Sequence, residues 1–180
     1  MSRYFAFLRA IYAGRGRTVK MEVLRQAFEA LGFSGVSTFQ ASGNIVFETT
    51  AQNAGRLERK IEKKLSGTLG HEVPTFIRTE AELAGIASYQ PFRLSEEDAA
   101  ELNIIFLAEA LDEQRAQKVM ALKTDTDEFH VHGREIYWLR RRKQNGSAFS
   151  SVPLEKTIGL SLTIRGSRTV KKLAEKYLSD

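Results

Sequence analysis

The sequence contains no cysteine among its 180 residues. Disulfide frameworks, thiolate catalysis and zinc–thiolate sites are therefore excluded. No apolar run approaches the roughly 20 residues that a membrane-spanning helix needs. Arg9 interrupts the N-terminal apolar stretch before it reaches the length of a signal-peptide core. From these features we expect a cytoplasmic protein with no membrane partner.

Sequence signatures of common catalytic classes are also lacking. We find no Gly-x-Ser-x-Gly elbow and no Walker loop, and the lone Gly-x-Gly of residues 14–16 lacks the third glycine of a Rossmann fingerprint. His130 and His132 share a strand face near Asp127 and Glu128, which resembles a metal-ligand spacing, but no further ligand is evident elsewhere. We therefore predict no metal and no cofactor, and we leave the catalytic residues unassigned.

The residues that are present describe a globular protein with an uneven charge. The chain is 42% apolar and 27% charged, and its net charge is +5. Residues 1–94 carry the whole excess, residues 95–135 are acidic, and residues 136–180 are basic. A surface polarised in this way either steers an anionic partner or only keeps the protein soluble, and the second reading is the commoner one.

Hydrophobic periodicity predicts the order of elements in the first half of the chain. The predicted order is strand Tyr4–Arg9, helix Thr18–Leu31 ended by Gly32, a hairpin of Val36–Phe39 and Ile45–Thr49, a helix carrying Leu57, Ile61 and Leu65 and closed by Gly70, and strand Val73–Arg78. This is the βαββαβ order of a ferredoxin-like unit.

The second half repeats this order after a bridge that begins with a capping box from Thr79 to Glu82. The predicted elements are strand Asn103–Ala108, helix Asp112–Lys123, a hairpin of Phe129–His132 and Glu135–Arg140, helix Ser147–Ile158, strand Leu160–Arg165 and helix Arg168–Leu178. We predict an α+β fold of two tandem ferredoxin-like halves with antiparallel sheets and a C-terminal helix. The predicted boundaries are 1–78 for the first half, 79–101 for the helical bridge and 102–180 for the second half.

Several predicted strands are apolar on both faces, among them residues 104–107 and 136–139. Helices cover one face of a two-layer unit, so the other face needs a second cover. The sister half or a second copy of the chain could supply it, which leaves a homodimer open. A third reading, aromatic stacking on RNA bases, is disfavoured because residues 42–47 lack the basic and aromatic pattern of an RNA-binding strand.

A loop rich in glycine and arginine follows the first predicted strand and leads into a helix. In a ferredoxin-like unit this loop lies at the same end of the sheet as the hairpin turn. We therefore expect one basic cluster formed by Arg9, Arg15, Arg17 and Lys20 with Ser42 and Asn44. Exposed N–H groups and guanidinium charge would suit an anion there. The structural alternative is that the glycines and turn formers only shape tight connections.

A second basic cluster is predicted at the end of the other sheet. The third and fourth strands of the second half should finish side by side, in front of the last helix. The candidate ligand-binding residues there are Arg140, Arg141, Arg142, Arg165, Ser167 and Arg168. A helix N-terminus with this charge would stabilise phosphate or carboxylate. The alternative is a solvated hairpin end, which is the usual role of such charge runs.

Six short segments together resemble the domain-of-unknown-function 1697 family over nearly the whole chain. They are Arg9–Gly14, Lys20–Arg25, Leu31–Phe33, Ser42–Phe47, Asp127–Phe129 and Gly133–Tyr137. The resemblance implies a two-part α+β fold in bacterial cytoplasmic proteins and carries no established activity.

The chain departs from the family pattern in both candidate loops. The family's first loop resembles Arg-Gly-Ile-Asn-Val-Gly-Gly, whereas Ala10, Tyr12, Ala13 and Arg15 stand at four of these places. Before its last helix the family resembles Arg-Asn-Trp-Asn-Thr-Val, and this chain has Arg165–Val170 with the sequence Arg-Gly-Ser-Arg-Thr-Val. Amides are lost and arginines gained, which favours a more anionic ligand.

Three functional hypotheses follow from the sequence. The leading one is a binding protein whose basic loops hold a phosphorylated small molecule or a nucleic acid. The second is an enzyme acting on a small anionic substrate that its arginines position. The third is a structural module that pairs with itself through its apolar sheets.

Overall fold

The computed structural model describes residues 1–9, 19–40, 43–94, 100–141 and 151–179, with the backbone alone for residues 151–153. The chain divides into two units, Met1–Ala84 and Gly85–Asp180. Each unit has its own four-stranded antiparallel sheet. We refer to them as the N-terminal and the C-terminal unit.

The N-terminal unit follows the predicted βαββαβ order. Its elements are β1 (Ser2–Leu8), α1 (Met21–Ala30), β2 (Ser34–Thr38), β3 (Asn44–Thr49), α2 (Ala54–Leu69) and β4 (Thr75–Thr79). The strand order is β2-β3-β1-β4, and every neighbouring pair is antiparallel. Both β2 and β4 are therefore edge strands of this sheet.

Apolar residues spaced by three or four explain why α1 and α2 form and how they pack. Leu24 and Phe28 lie on one side of α1, and Leu57, Ile61 and Leu65 lie on one side of α2. All five are buried in one cluster with residues of the sheet. Burial of these side chains is the main stabilising contribution, at about 1.5–3 kcal/mol for each large apolar residue.

Local hydrogen bonds fix the ends of the helices. The Asn53 side chain accepts from the Arg56 N–H at 2.9 Å and caps α2, and Gly70 ends that helix in the left-handed region with φ 76°. The capping box predicted at Thr79 is present: its N–H donates to Glu82 Oε2 at 2.8 Å, and its hydroxyl accepts from the Glu82 N–H at 3.2 Å. This box starts α3 (Glu80–Ser88).

The C-terminal unit repeats the same topology. Its elements are β5 (Ala100–Leu107), α4 (Glu113–Met120), β6 (Asp127–His132), β7 (Glu135–Arg141), α5 (Ser151–Ile158), β8 (Leu162–Gly166) and α6 (Ser167–Leu178). The strand order is β6-β7-β5-β8, again fully antiparallel. Its helix-side core includes Ile105, Leu107, Trp138, Leu154 and Ile158.

The sheet faces turned away from these cores are buried as well. Phe5 and Phe7 of β1 are 1% and 0% exposed, and Phe106 and Tyr137 of the other sheet are both 0% exposed. The expectation that both faces need cover is met. Stacking of these aromatic rings on RNA bases is not supported, because the rings are not accessible.

The predicted fold class is confirmed: two four-stranded antiparallel sheets and a C-terminal helix, consistent with two ferredoxin-like halves. Element ends differ by a few residues for local reasons. Helix α4 stops at Met120, short of the predicted Lys123, because Leu122 donates to the Val119 carbonyl three residues back and tightens the last turn. Strand β5 starts at Ala100, ahead of Asn103, because residues 100–102 pair with β7. No helix in the described part of the chain is long and apolar enough to cross a membrane.

Candidate functional site

The structure brings part of the second basic cluster to one end of the C-terminal sheet. Strand β5 is central there: Glu101 pairs with Arg140 of β7 on one side, and Asn103 pairs with Gly166 of β8 on the other. The end of β7 and the end of β8 therefore flank the start of β5, about 10 Å apart across two strand spacings. Arg142 lies outside the described residues.

A cavity of about 370 Å³ lies between the start of β5 and the start of α6. We call it the α6 cavity, and its described lining is Leu94, Ala100, Glu101, Leu102, Asn103, Gly166, Ser167, Arg168 and Lys171. Two cations, one carboxylate and one amide thus face a partly apolar space. The volume falls within the range of small-molecule sites, about 300–1,000 Å³.

The first turn of α6 forms one wall of this cavity. Gly166 is the N-cap residue, with φ −63° and ψ 143°, and as a glycine it has no side chain that could cap the helix. The first turn also contains no acidic residue, although a carboxylate is favourable at that position. Arg168 and Lys171 add positive charge to the same end of the helix. The α6 cavity is therefore electropositive at this wall.

Arg165 is placed differently from its predicted neighbours Ser167 and Arg168. It is 8% exposed, and its Nη1 donates to Thr163 Oγ1 at 2.8 Å and to the Ile164 carbonyl at 2.9 Å. Burial lowers the pKa of Arg165 to about 10, so the side chain still carries its charge at neutral pH. It does not line the α6 cavity.

Arg165 has a counterpart in the N-terminal unit. Arg78 occupies the corresponding place in β4, is 0% exposed, and donates to the carbonyl of Ile77 at 2.9 Å. Both arginines therefore bond the carbonyl of the residue before them in the last strand of their unit. The repeated contact indicates that Arg165 helps to order β8.

Arg140 and Arg141, at the end of β7, make different side-chain contacts. Arg141 Nη1 lies 2.7 Å from Glu128 Oε2, and Lys123 Nζ lies 3.1 Å from Glu128 Oε1. The hydrogen bonds from Arg141 and then Lys123 lower the pKa of Glu128. The Arg140 guanidinium lies 5.8 Å from the centre of the Trp138 ring. Arg141 thus joins β7 to β6, Arg140 lies over a ring of its own strand, and neither is among the described lining of the α6 cavity.

Asp127 is the buried centre of the β6–β7 pair, and the sequence analysis considered it only as a metal ligand. It is 0% exposed and accepts hydrogen bonds from Trp138 Nε1 at 2.7 Å, Thr126 Oγ1 at 2.8 Å and Thr124 Oγ1 at 2.9 Å. Burial by itself raises the pKa of Asp127, but the bonds from Thr126, Trp138 and Thr124, with the charge of Arg140, outweigh it and lower the pKa. Its role is structural.

The two histidines of β6 form an aromatic group with Tyr89. The Tyr89 hydroxyl lies 2.8 Å from His130 Nε2, and the Tyr89 ring stacks on His132 with ring centres 4.2 Å apart. Burial, and then the charge of His132, lower the pKa of His130. Which of the two groups donates this hydrogen bond depends on which ring nitrogen of His130 carries the proton. Within the described residues no group of three or more His, Asp or Glu side chains could hold a metal ion.

The first basic cluster is described only in part. Arg15, Arg17 and Ser42 lie outside the described residues. The Leu8 N–H donates to the Gly43 carbonyl at 2.9 Å, which places the end of β1, and hence Arg9, beside the β2–β3 turn.

Two further members of the first cluster lie in described segments. Asn44 is 1% exposed, and its Nδ2 donates to the Phe39 carbonyl at 3.1 Å, so this amide closes the turn. Lys20 is exposed at the N-cap position of α1.

Comparison with known proteins places the chain in a family. It is similar to the solved structure of conserved bacterial protein SP0830 from Streptococcus pneumoniae, with a TM-score of 0.73, 23% identity and 99% of each chain covered. At this identity the likeness shows the fold alone. A search of the curated proteins found no match. The sequence profile described as "Protein of unknown function (DUF1697)" matches residues 1–137, which confirms the resemblance seen in the sequence, and the chain belongs to that family.

Proposed function

We propose that the protein binds an anionic, phosphorylated ligand and that the α6 cavity holds the phosphoryl group. The observation that carries this proposal is the concave wall formed by Ser167, Arg168 and Lys171 at a helix start whose N-cap residue is a glycine. N–H groups at a helix start and nearby cations stabilise an anion together. The cavity volume favours a small molecule over a nucleic acid at this place.

The opposite wall of the cavity supports a ligand with hydrogen-bond donors. Glu101 and Asn103 of β5 both line it. A carboxylate accepts hydrogen bonds from hydroxyl or amino groups, and it repels a second phosphoryl group. A sugar phosphate or a nucleotide fits this pattern better than inorganic polyphosphate does.

The enzyme hypothesis has less support at this site. Asp127, Glu128 and His130 are side chains whose pKa the protein lowers, and none of them is among the described lining of the cavity. Self-association through the apolar sheets is also disfavoured, because those faces are already buried in the single chain. Binding is therefore the function that the described geometry supports best.

We expect the double variant Arg168→Gln, Lys171→Gln to bind phosphorylated ligands at least about tenfold more weakly, since hydrogen bonds to charged groups contribute about 1.5–3 kcal/mol each. The measurement is a thermal-shift screen of nucleotides and sugar phosphates at low and moderate salt, followed by calorimetry on the best compound. The matched control is Lys172→Gln, Lys176→Gln, which removes two charges from the same helix outside the cavity lining. Equal losses of affinity in both variants would show that net charge alone causes the effect, which would contradict the proposal.

Replacing Gly166 with aspartate should stabilise the protein and abolish the same binding. The backbone angles suit any residue, and a Cβ at Gly166 meets nothing within 4 Å. Asp is a favoured N-cap residue, so we expect a gain of about 0.5–1 kcal/mol in the free energy of unfolding. The new carboxylate would repel the phosphoryl group.

Thermal unfolding and calorimetry on one Gly166→Asp preparation measure both effects. Gly166→Ala is the control that introduces a Cβ without charge, and it should keep ligand affinity. Unchanged affinity in Gly166→Asp would show that the ligand does not approach the start of α6.

A further inference from the structure

Helix α2 of the N-terminal unit has a solvent face that is basic along two turns. Arg56, Arg59, Lys60 and Lys63 are all exposed. Their spacings of three and four residues place them on one side of the helix. We call these four residues the α2 stripe. It lies in a different unit from the α6 cavity, and it was not among the sequence-based candidates.

The two acidic residues of α2 do not neutralise this stripe, because both accept hydrogen bonds from the backbone of β4. Glu58 Oε1 accepts from the Ile77 N–H at 3.0 Å, and Glu62 Oε1 accepts from the Thr75 N–H at 3.0 Å. Both N–H groups belong to β4, an edge strand. The two carboxylates therefore protect the sheet edge, and they are not placed to pair with the basic side chains on the surface of α2.

Helix α1 differs from α2, because its basic surface residue is paired with carboxylates of the same helix. On α1, Arg25 makes ion pairs with Glu22 and with Glu29 one turn away on either side. Throughout the described residues, Arg56, Arg59 and Lys63 make no ion pair with a carboxylate.

Like charges also face each other along the α2 stripe. Arg56 and Lys60 are four residues apart, and so are Arg59 and Lys63. Like-charge pairs at this spacing destabilise a helix by about 0.2–0.5 kcal/mol each. Two contacts reduce this repulsion at Lys60: its Nζ donates to the Leu31 carbonyl at 3.1 Å and lies 5.3 Å from the centre of the Phe33 ring. An anionic partner would remove the remaining repulsion.

From this charge pattern we propose that the α2 stripe binds the phosphate backbone of a nucleic acid without reading its sequence. The stripe extends about 10 Å along the helix from Arg56 to Lys63. Duplex DNA carries one charge per roughly 1.7 Å of its axis, so several phosphates lie within reach of four cations. A single small anion on a convex helix could contact only part of the stripe.

A membrane surface fits the α2 stripe less well than a nucleic acid does. A helix that lies in the lipid interface needs an accessible apolar face. The apolar side of α2, with Leu57, Ile61 and Leu65, is buried in the core of the unit. Complementary charge is then the sole attraction that this face offers, and phosphate backbones supply the densest negative charge.

The test is the salt dependence of binding to a fluorescently labelled DNA duplex of random sequence, followed by anisotropy. The variant is Arg56→Gln, Arg59→Gln, Lys63→Gln, which removes three charges and keeps residues of good helix propensity. We expect affinity to fall more than about tenfold, and the slope of log K against log salt to decrease in magnitude by about 3. Arg56→Lys, Arg59→Lys keeps the charge and should retain the slope.

The control variant Lys118→Gln, Lys172→Gln, Lys176→Gln removes the same charge from exposed positions of the C-terminal unit. It should leave the slope nearly unchanged, and neither triple variant touches the described α6 cavity. The proposal is overturned if the wild-type protein does not bind the duplex, if the two triple variants lose equal affinity, or if polyglutamate or phosphatidylserine vesicles bind the stripe more tightly than the duplex does. Loss of small-phosphate binding in the Arg168→Gln, Lys171→Gln variant has no bearing on this outcome.

Discussion

Replacing Asp127 with alanine is expected to lower the free energy of unfolding of the C-terminal unit by about 3 kcal/mol. The substitution leaves the Trp138 indole N–H and the hydroxyls of Thr124 and Thr126 without the buried acceptor that they now share. Each buried donor without a partner costs about 1–3 kcal/mol. The measurement is urea unfolding followed by tryptophan fluorescence, because Trp138 is the only tryptophan of the sequence and reports on this site.

The backbone around Asp127 explains why the loss should extend beyond one side chain. The Thr124 N–H donates to the Asp127 carbonyl at 2.9 Å, and the Arg141 N–H donates to the Thr126 carbonyl at 2.8 Å. These backbone bonds hold the turn before β6 against the end of β7, and the carboxylate supports the same turn through its bonds from Thr124 and Thr126. Thr126→Val removes one donor and keeps the acceptor, so it should cost only about 1 kcal/mol. A loss no larger than this in Asp127→Ala would contradict the assignment of Asp127 as the centre of the network.

The pH dependence of stability gives a second readout of the same carboxylate. Its pKa is lowered in the folded protein, so the unfolded chain takes up its proton first as the pH falls. The stability that Asp127 contributes is complete above its unfolded pKa of about 3.9 and is lost as the pH falls through the lower folded pKa. The difference in stability between the wild type and Asp127→Asn should therefore be constant near neutral pH and narrow in strong acid. A difference that persists in strong acid would show that the charge is not what stabilises the network.

Local patterns were enough to predict the helices and the turns of this chain. The four-residue spacing of Leu57, Ile61 and Leu65 places three side chains on one side of α2, whatever the helix packs against. Gly70 has φ 76° and ends α2, as a glycine at that place predicts. The strand order of each sheet follows from the element order together with the preference for antiparallel neighbours. The helix faces and the turns depend on residues close together in the sequence, whereas the strand order brings together strands that are far apart in it.

The partners of buried polar groups could not be predicted in this way. Asp127 meets Trp138 because β6 pairs with β7 in one register, and a charged residue at a strand start does not reveal that register. For Arg165, by contrast, the sequence pattern was sufficient. Side chains alternate along β8, so Arg165 lies on the sheet face opposite Ile164, which packs against the helix-side core. Its burial away from the α6 cavity was therefore foreseeable. The depth of that cavity, by contrast, depends on how α6 leaves β8.

Glu58→Ala is expected to lower the free energy of unfolding of the N-terminal unit by about 2 kcal/mol. Glu58 is 8% exposed, and the Ile77 N–H that it accepts belongs to a residue that is 0% exposed. Without the carboxylate, this edge-strand N–H is buried and has lost its acceptor. The measurement is chemical unfolding followed by circular dichroism.

Glu62→Ala is the internal comparison for this edge, because it removes the bond to Thr75 N–H from a side chain that is only half-buried. Water can replace that acceptor, so we expect a loss below about 1 kcal/mol. Glu58→Gln keeps an acceptor oxygen and should recover much of the stability lost in Glu58→Ala. Because an unprotected edge strand pairs with other chains, the Glu58→Ala, Glu62→Ala double variant should also self-associate when analysed by light scattering. Equal losses of stability in Glu58→Ala and Glu62→Ala, with no self-association of the double variant, would show that burial of Glu58 and protection of β4 are unrelated. Protection of the sheet edge would then no longer explain why these two carboxylates do not neutralise the α2 stripe.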